Sequence, residues 1–226
     1  MERHFEHSIR ELRELLVGMA GYVERAIDTA IRGLKSRDLA VIQEVFEIEK
    51  KVNQDHIAVD DACVKLLALH QPMAIDLRLI VSVIKINTDL ERMGDQAVNI
   101  AHNAEFYLKQ PELKPLIDLA QMFEEVKVMV RVAIDSFVTA SEAQAREVLK
   151  RDDKVDELKR KVFNDVVAIM KQKPAGIDAG LALILIARNL ERLGDHATNI
   201  AEDVIYVVTG RDIRHAQDVG GSGASP

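Results

Sequence analysis

The stretch LERMGDQAVNIA at residues 90–101 returns as LERLGDHATNIA at residues 190–201, with nine of twelve residues identical. The repeat sits 100 residues downstream of its first copy, and it keeps polar and apolar positions alike. A period of that length marks a duplicated structural unit. Its apolar positions fall at helical spacing. Ile86, Leu90, Met93, Ala97 and Ile100 lie on one face, and Ile186, Leu190, Leu193, Ala197, Ile200 and Val204 lie on the matching face of the second copy. At about 100° per residue these are the core stripes of two amphipathic helices.

Working outward, the chain breaks into six long helical segments. They run from about 5 to 35, 39 to 69, 75 to 108, 116 to 139, 142 to 171 and 178 to 208. Asp38 is placed to cap the second, and Ser141 with Gln144 forms a Ser-x-x-Gln box before the fifth. Pro72 breaks the chain before the third helix, and Pro111 and Pro115 bracket a linker near the midpoint. Gly210 stops the sixth. The repeated segment is thus the third helix of each half. The predicted fold is all-α, with two pseudo-symmetric antiparallel three-helix bundles, residues 1–110 and 111–210, followed by a flexible tail at 211–226.

Composition agrees. Of 226 residues 48% are hydrophobic but only 4% aromatic, with no Trp, and Val, Ile, Leu and Ala fill the apolar set. That suits packed helices. The net charge of -7 leaves no electrostatic footprint for nucleic acid. Cys63 is the only cysteine, so it forms no intrachain disulfide and reads as a buried, inert thiol. No apolar run approaches the ~20 residues of a membrane span, and residues 1–15 lack a signal-peptide core. The expected location is the cytoplasm.

The polar face of the repeat carries the functional question. Glu91, Asp95 and Asn99 follow each other four apart and point away from the core stripe, as do Glu191, Asp195 and Asn199. Glu202 extends the second row, with Asp203 at its edge. Like charges at i,i+4 destabilise a helix by ~0.2–0.5 kcal/mol. Gly94 and Gly194 each cost ~1 kcal/mol relative to Ala in mid-helix. A merely solvated face needs neither. Asp152 and Asp156 on the fifth helix, and Glu49 and Asn53 on the second, occupy matching phases beside Val155 and Val52. Each half therefore offers two short oxygen-rich rows, a donor set for hard cations such as Mg²⁺, Mn²⁺, Ca²⁺ or Fe³⁺. The structural alternative keeps these rows solvated or salt-bridged, with Arg188 pairing Glu191. His196 replaces Gln96 and reads as a surface position.

These residues, with QPMAIDLRL at 71–79 and NLERLGDHATNIAEDV at 189–204, resemble the PhoU family over essentially the whole chain. The resemblance implies a homodimeric, cytoplasmic, non-enzymatic protein. It implies a negative regulator of the phosphate-starvation response that relays the state of the phosphate ABC transporter, through its ATPase subunit, to a sensor histidine kinase. Such a protein meets the membrane only through its partners. The resemblance also implies Mg, Mn, Fe or Zn bound through E(D)-x-x-x-D motifs, here Glu91 with Asp95, Glu191 with Asp195 and Asp152 with Asp156. The row of Glu49 and Asn53 departs from the motif, so the two sites are expected to be unequal. Asp76 and Arg78, just after the Pro72 turn, are candidates for the partner surface, or else a helix-start cap and an intrachain ion pair.

Two other classes compete. A di-metal carboxylate oxidase needs Glu-x-x-His motifs projecting into a bundle core. The motif helices here carry none, and their carboxylates point outward. A purely structural scaffold needs no metal at all. No nucleophile–base pair, Gly-rich phosphate loop or nucleotide motif is visible.

Overall fold

The computed structural model describes residues 2–113 and 117–214. The expected flexible tail beyond 214, and Pro115 of the midpoint linker, lie outside them. The described residues form six α-helices: α1 (Glu2–Ser36), α2 (Leu39–His70), α3 (Ile75–Leu108), α4 (Ile117–Thr139), α5 (Glu142–Gln172) and α6 (Ile177–Thr209). A single 3₁₀ turn, Pro174–Gly176, leads into α6. None of the helices is long and apolar enough to cross a membrane.

The same turn begins α2 and α5. Asp38 Oδ1 accepts from the amides of Ala40 and Val41 at 2.9 and 3.4 Å. Ser141 Oγ accepts from Gln144 N at 3.4 Å. Ahead of each cap stands a non-glycine residue in the left-handed region, Arg37 (φ 54°) and Ala140 (φ 49°). The cap amides bond back to Gly33 O and Ser136 O at 3.0 and 2.9 Å, closing the preceding helices. Only half of the expected capping box forms, because Gln144 Oε1 accepts from the Thr139 hydroxyl at 2.7 Å. Gln71 (φ 46°) closes α2 ahead of Pro72.

Helices α1, α2 and α3 pack as one bundle and α4, α5 and α6 as the other. The bundles join along α3 and α6, which run antiparallel: Lys85 meets Asp203 and Asp89 meets His196. Ala97, Ala101, Ala104, Ala197 and Ala201 are fully buried. These short side chains let helix axes approach closely. Every residue of the two predicted core stripes is buried as well, none more than 1% exposed. Cys63 is buried too, and burial pushes its thiol up to about 12, so it stays protonated and unreactive.

Candidate functional site

The polar rows lie where α3 meets α2 and where α6 meets α5. Gly94 explains the first approach. A Cβ there would stand 3.1 Å from Cγ1 of Val52, so only a bare α-carbon fits comfortably against α2. Gly194 is looser. Its Cβ would meet Val155 Cγ1 and Met129 Cε at 3.7 Å and Asp152 Oδ1 at 3.8 Å, all ordinary contacts. The paired rows therefore sit across each helix–helix groove, at half-buried to exposed positions.

In the second half Asp152, Asp156, Glu191 and Asp195 share one neighbourhood. Partial burial raises the Asp152 carboxyl above the ordinary range, and the charges of Asp195, Asp156, Asp153 and Glu191 raise it further. Asp195 is raised by desolvation and then by Glu191, with Asp156 adding and His196 opposing. In the first half, burial raises the Glu91 carboxyl and Asp95 and Glu49 add to it, while His56 and Arg92 pull the other way. Asn53 donates a hydrogen bond to Glu49 there, so that row holds itself together.

Several expectations need correction. Glu191 pairs with Lys159 of α5, not with Arg188. Asn199 leaves the acidic row: its Nδ2 donates to Asp89 Oδ1 of α3 at 3.2 Å. Positions four apart advance by about 40° around a helix, so the third member of the series turns toward the next neighbour. Asn99, its counterpart, is exposed and accepts from Asn103 Nδ2 at its carbonyl, 2.6 Å away. His196 is no surface residue. Its side chain is 13% exposed and its Nδ1 lies 2.8 Å from Asp89 Oδ1, inside the α3–α6 seam. Asp203 and Glu202 also leave the row. Asp203, 1% exposed, lies 3.4 Å from Lys85 Nζ and 2.7 Å from Arg214 Nη2, and Glu202 is bound by Arg214 at 3.0 Å. No sequence spacing announces these seam pairs, whose partners across α3 and α6 lie more than a hundred residues apart.

Asp76 is exposed in the first turn of α3 and forms no cap, because the capping residue is Ala74, with no side-chain bond. Arg78 is half-buried over the end of α6. A Cβ on Gly210 would stand 2.8 Å from its Nη1, and Gly210 also needs its φ of 72°. The Arg78 guanidinium thus sits at the negative end of the α6 dipole. Around Asp76 the turn is apolar: Leu69, Met73 and Ile75 are 76%, 80% and 63% exposed.

The donor chemistry of the second half fits a hard cation. Four carboxylates lie on two packed helices, with the Asp152 and Asp195 carboxyls held up partly by their neighbours' charge. Among the described residues, however, no three His, Cys, Asp or Glu side chains converge as a metal-ion site. A cation there has to draw Glu191 away from Lys159. In the first half Asn53 takes the place of the fourth carboxylate, and the fit is poorer.

The PhoU domain family model matches this chain twice, over residues 16–104 and 119–204. The chain is 36% identical to the phosphate-specific transport system accessory protein PhoU homolog of Pseudomonas putida, across 95% of this chain and 84% of that protein. It is 31% identical to the Escherichia coli accessory protein PhoU, across 93% and 88%. The crystal structure of PhoU from Pseudomonas aeruginosa superposes with a TM-score of 0.89 at 36% identity, covering 92% of this chain and all of that one. The phosphate transport system regulatory protein PhoU from Streptococcus pneumoniae gives 0.86 at 27% identity, covering 92% and 99%. With both three-helix units matched and the whole architecture shared, the chain belongs to the PhoU family.

Proposed function

We propose that this chain is a negative regulator of phosphate uptake and of the phosphate-starvation response. It acts as a metal-binding adaptor between the phosphate ABC transporter and a sensor histidine kinase. The reading is carried by the double family match, whose relatives are named as accessory proteins of phosphate-specific transport. The exposed apolar turn at Leu69, Met73 and Ile75, with Asp76 beside it, supports a protein-docking role, because clustered exposed apolar side chains mark interaction surfaces. The protein works in the cytoplasm as a homodimer, without catalysis, and reaches the membrane only through the transporter's ATPase subunit and the kinase.

Asp152, Asp156, Glu191 and Asp195 would hold the metal in the second half. Glu91, Asp95 and Glu49 would do so more weakly in the first. Bound there, a hard cation supplies positive charge that neutralises the crowded carboxylates and fixes α5 against α6. The Lys159–Glu191 pair favours a second reading, in which a lysine does this work and no metal is needed. Metal content by inductively coupled plasma mass spectrometry separates the two. The expected result is stoichiometric Mg, Mn, Fe or Zn in the wild type, lost when Asp95→Ala and Asp195→Ala are combined. Metal-free protein even after loading with Mn²⁺, Mg²⁺ or Fe would leave the scaffold reading standing.

A further inference from the structure

One turn beyond the acidic row of α5, the groove between α5 and α6 changes sign. A cavity of about 370 Å³ opens there, lined by Lys159, Arg160, Asn164 and Arg188 around Phe163 and Ala187. No carboxylate is among its lining residues, in a chain of net charge -7. Neither Arg160 nor Arg188 has an ion pair among the described residues. Glu157, three residues before Arg160, is held by Lys161 at 2.9 Å. Phe163 stands half exposed against the cavity.

The equivalent place in the first half is built differently. Val52 and Val155 occupy the same position against Gly94 and Gly194. That register puts His56, Ile57, Asp60 and Asp61 where the second half has Lys159, Arg160, Phe163 and Asn164. Asn87 and Thr88 stand in place of Ala187 and Arg188. Asn87 Nδ2 spans the first groove, donating to His56 O at 3.0 Å and Asp60 Oδ1 at 2.9 Å. Ala187 cannot make that bridge. One groove is thus acidic and closed by hydrogen bonds, and its duplicate is cationic and open.

We propose that the α5–α6 groove is a binding site for a nucleotide, its phosphates held by Arg160 and Arg188 and its base laid on Phe163. Two unpaired guanidiniums present forked donors suited to phosphoryl oxygens. The half-exposed ring offers the flat apolar face on which a base stacks. The volume falls within the ~300–1,000 Å³ of small-molecule sites, too large for inorganic phosphate alone. Lys159 is a reserve cation. It lines the groove but is held by Glu191, so releasing it adds a third positive charge to the phosphate side. The proposal does not rest on the metal reading, because it uses none of the acidic side chains as ligands.

The test is calorimetric titration of the full chain with ATP in excess EDTA, alongside inorganic phosphate. The expected result is one saturable ATP site, with affinity lowered about tenfold or more by Arg160→Ala combined with Arg188→Ala, and several-fold by Phe163→Ala. Glu191→Gln, which frees Lys159, should tighten ATP binding, a gain that misfolding cannot produce. Circular dichroism checks that each variant is folded. The proposal is overturned by the lack of saturable ATP binding, by affinity that the double arginine variant leaves unchanged, or by phosphate binding as tightly as ATP. Working without divalent cations keeps these outcomes separate from failure of the metal site.

Discussion

The α2–α3 face and the α5–α6 face share a backbone plan, and they differ in what they do with charge. On the first face one carboxylate position is Asn53, which donates to Glu49, and His56 tempers Glu91. On the second, four carboxylates stay crowded, and Lys159 is drawn in against Glu191. The core stripes beneath match residue for residue in burial. Packing positions tolerate little change, because volume and close approach constrain them. Polar positions on α2 and α5 tolerate change at small cost, so the two copies diverge there and acquire separate chemistry, while α3 and α6 keep Glu, Asp and Asn in common.

The α3–α6 seam gives the sharpest form of this contrast. Lys85, Asp203 and Arg214 cluster at one end of it. Repeat symmetry places Leu185 and Asn103 at the other end, where Lys85 and Asp203 would have their counterparts. Removing one partner of a buried ion pair strands the other charge, at a cost of ~3–5 kcal/mol. Lys85 stays near Asp203, so Arg214→Ala is expected to cost about 3 kcal/mol, at the low end of that range. Asn103→Ala should cost about 0.5 kcal/mol or less, as surface changes do. Urea unfolding of the two variants measures the difference. Equal losses would mean that the charged end does not anchor the seam.

The two mid-helix glycines come next in size. Replacing either with Ala gains ~1 kcal/mol of helix propensity. At Gly94 the new methyl meets the stiff β-branched Val52 at 3.1 Å, and overpacking costs ~1–3 kcal/mol. At Gly194 the nearest atoms stand at 3.7 Å, where a methyl is in ordinary contact. Gly94→Ala should therefore be neutral or destabilising by up to about 2 kcal/mol, and Gly194→Ala stabilising by up to about 1 kcal/mol. Opposite signs in thermal unfolding would confirm that only the first glycine is required by packing. Matching signs would remove that distinction between the halves.

Both glycines were legible in the sequence as signs of close approach, but which one is crowded was not. That depends on the position of Val52 across the groove. The helices and core stripes were legible because they are local and periodic. The caps at Asp38 and Ser141 were legible by residue type. The turns before them were only partly so, because Arg37 and Ala140 adopt left-handed conformations usually signalled by Gly or Asn. Helical phase makes the acidic rows neighbours along each helix. It misplaces Asn199 and His196, because phase says which way a residue points and not which helix lies there. Asp203 buried against Arg214 is a tertiary fact that no spacing rule contains.

The smallest expected effect tests the crowding itself. The Asp152 carboxyl is raised above its ordinary value of 3.8 by burial and by Asp195, Asp156, Asp153 and Glu191. A raised carboxyl binds its proton more tightly in the folded state than in the unfolded chain. Its ionised form therefore costs stability at neutral pH. The cost is relieved as pH falls from the raised value toward 3.8, and it is gone below that. Asp152→Asn in EDTA should accordingly stabilise the protein at pH ~7, by a few tenths of a kcal/mol for such half-exposed like charges. The gain should fade as pH falls toward ~4 and be gone below it. Asn53→Asp is the reverse experiment on the other face. It adds the fourth carboxylate and removes the bond to Glu49, so it should destabilise at neutral pH and less so in acid. If Asp152→Asn instead destabilises at neutral pH without metal, the second face is held by its own ion pairs, Lys159 with Glu191 foremost. The two faces would then differ only in the bonds that satisfy them, and no residual charge would remain for a cation to relieve.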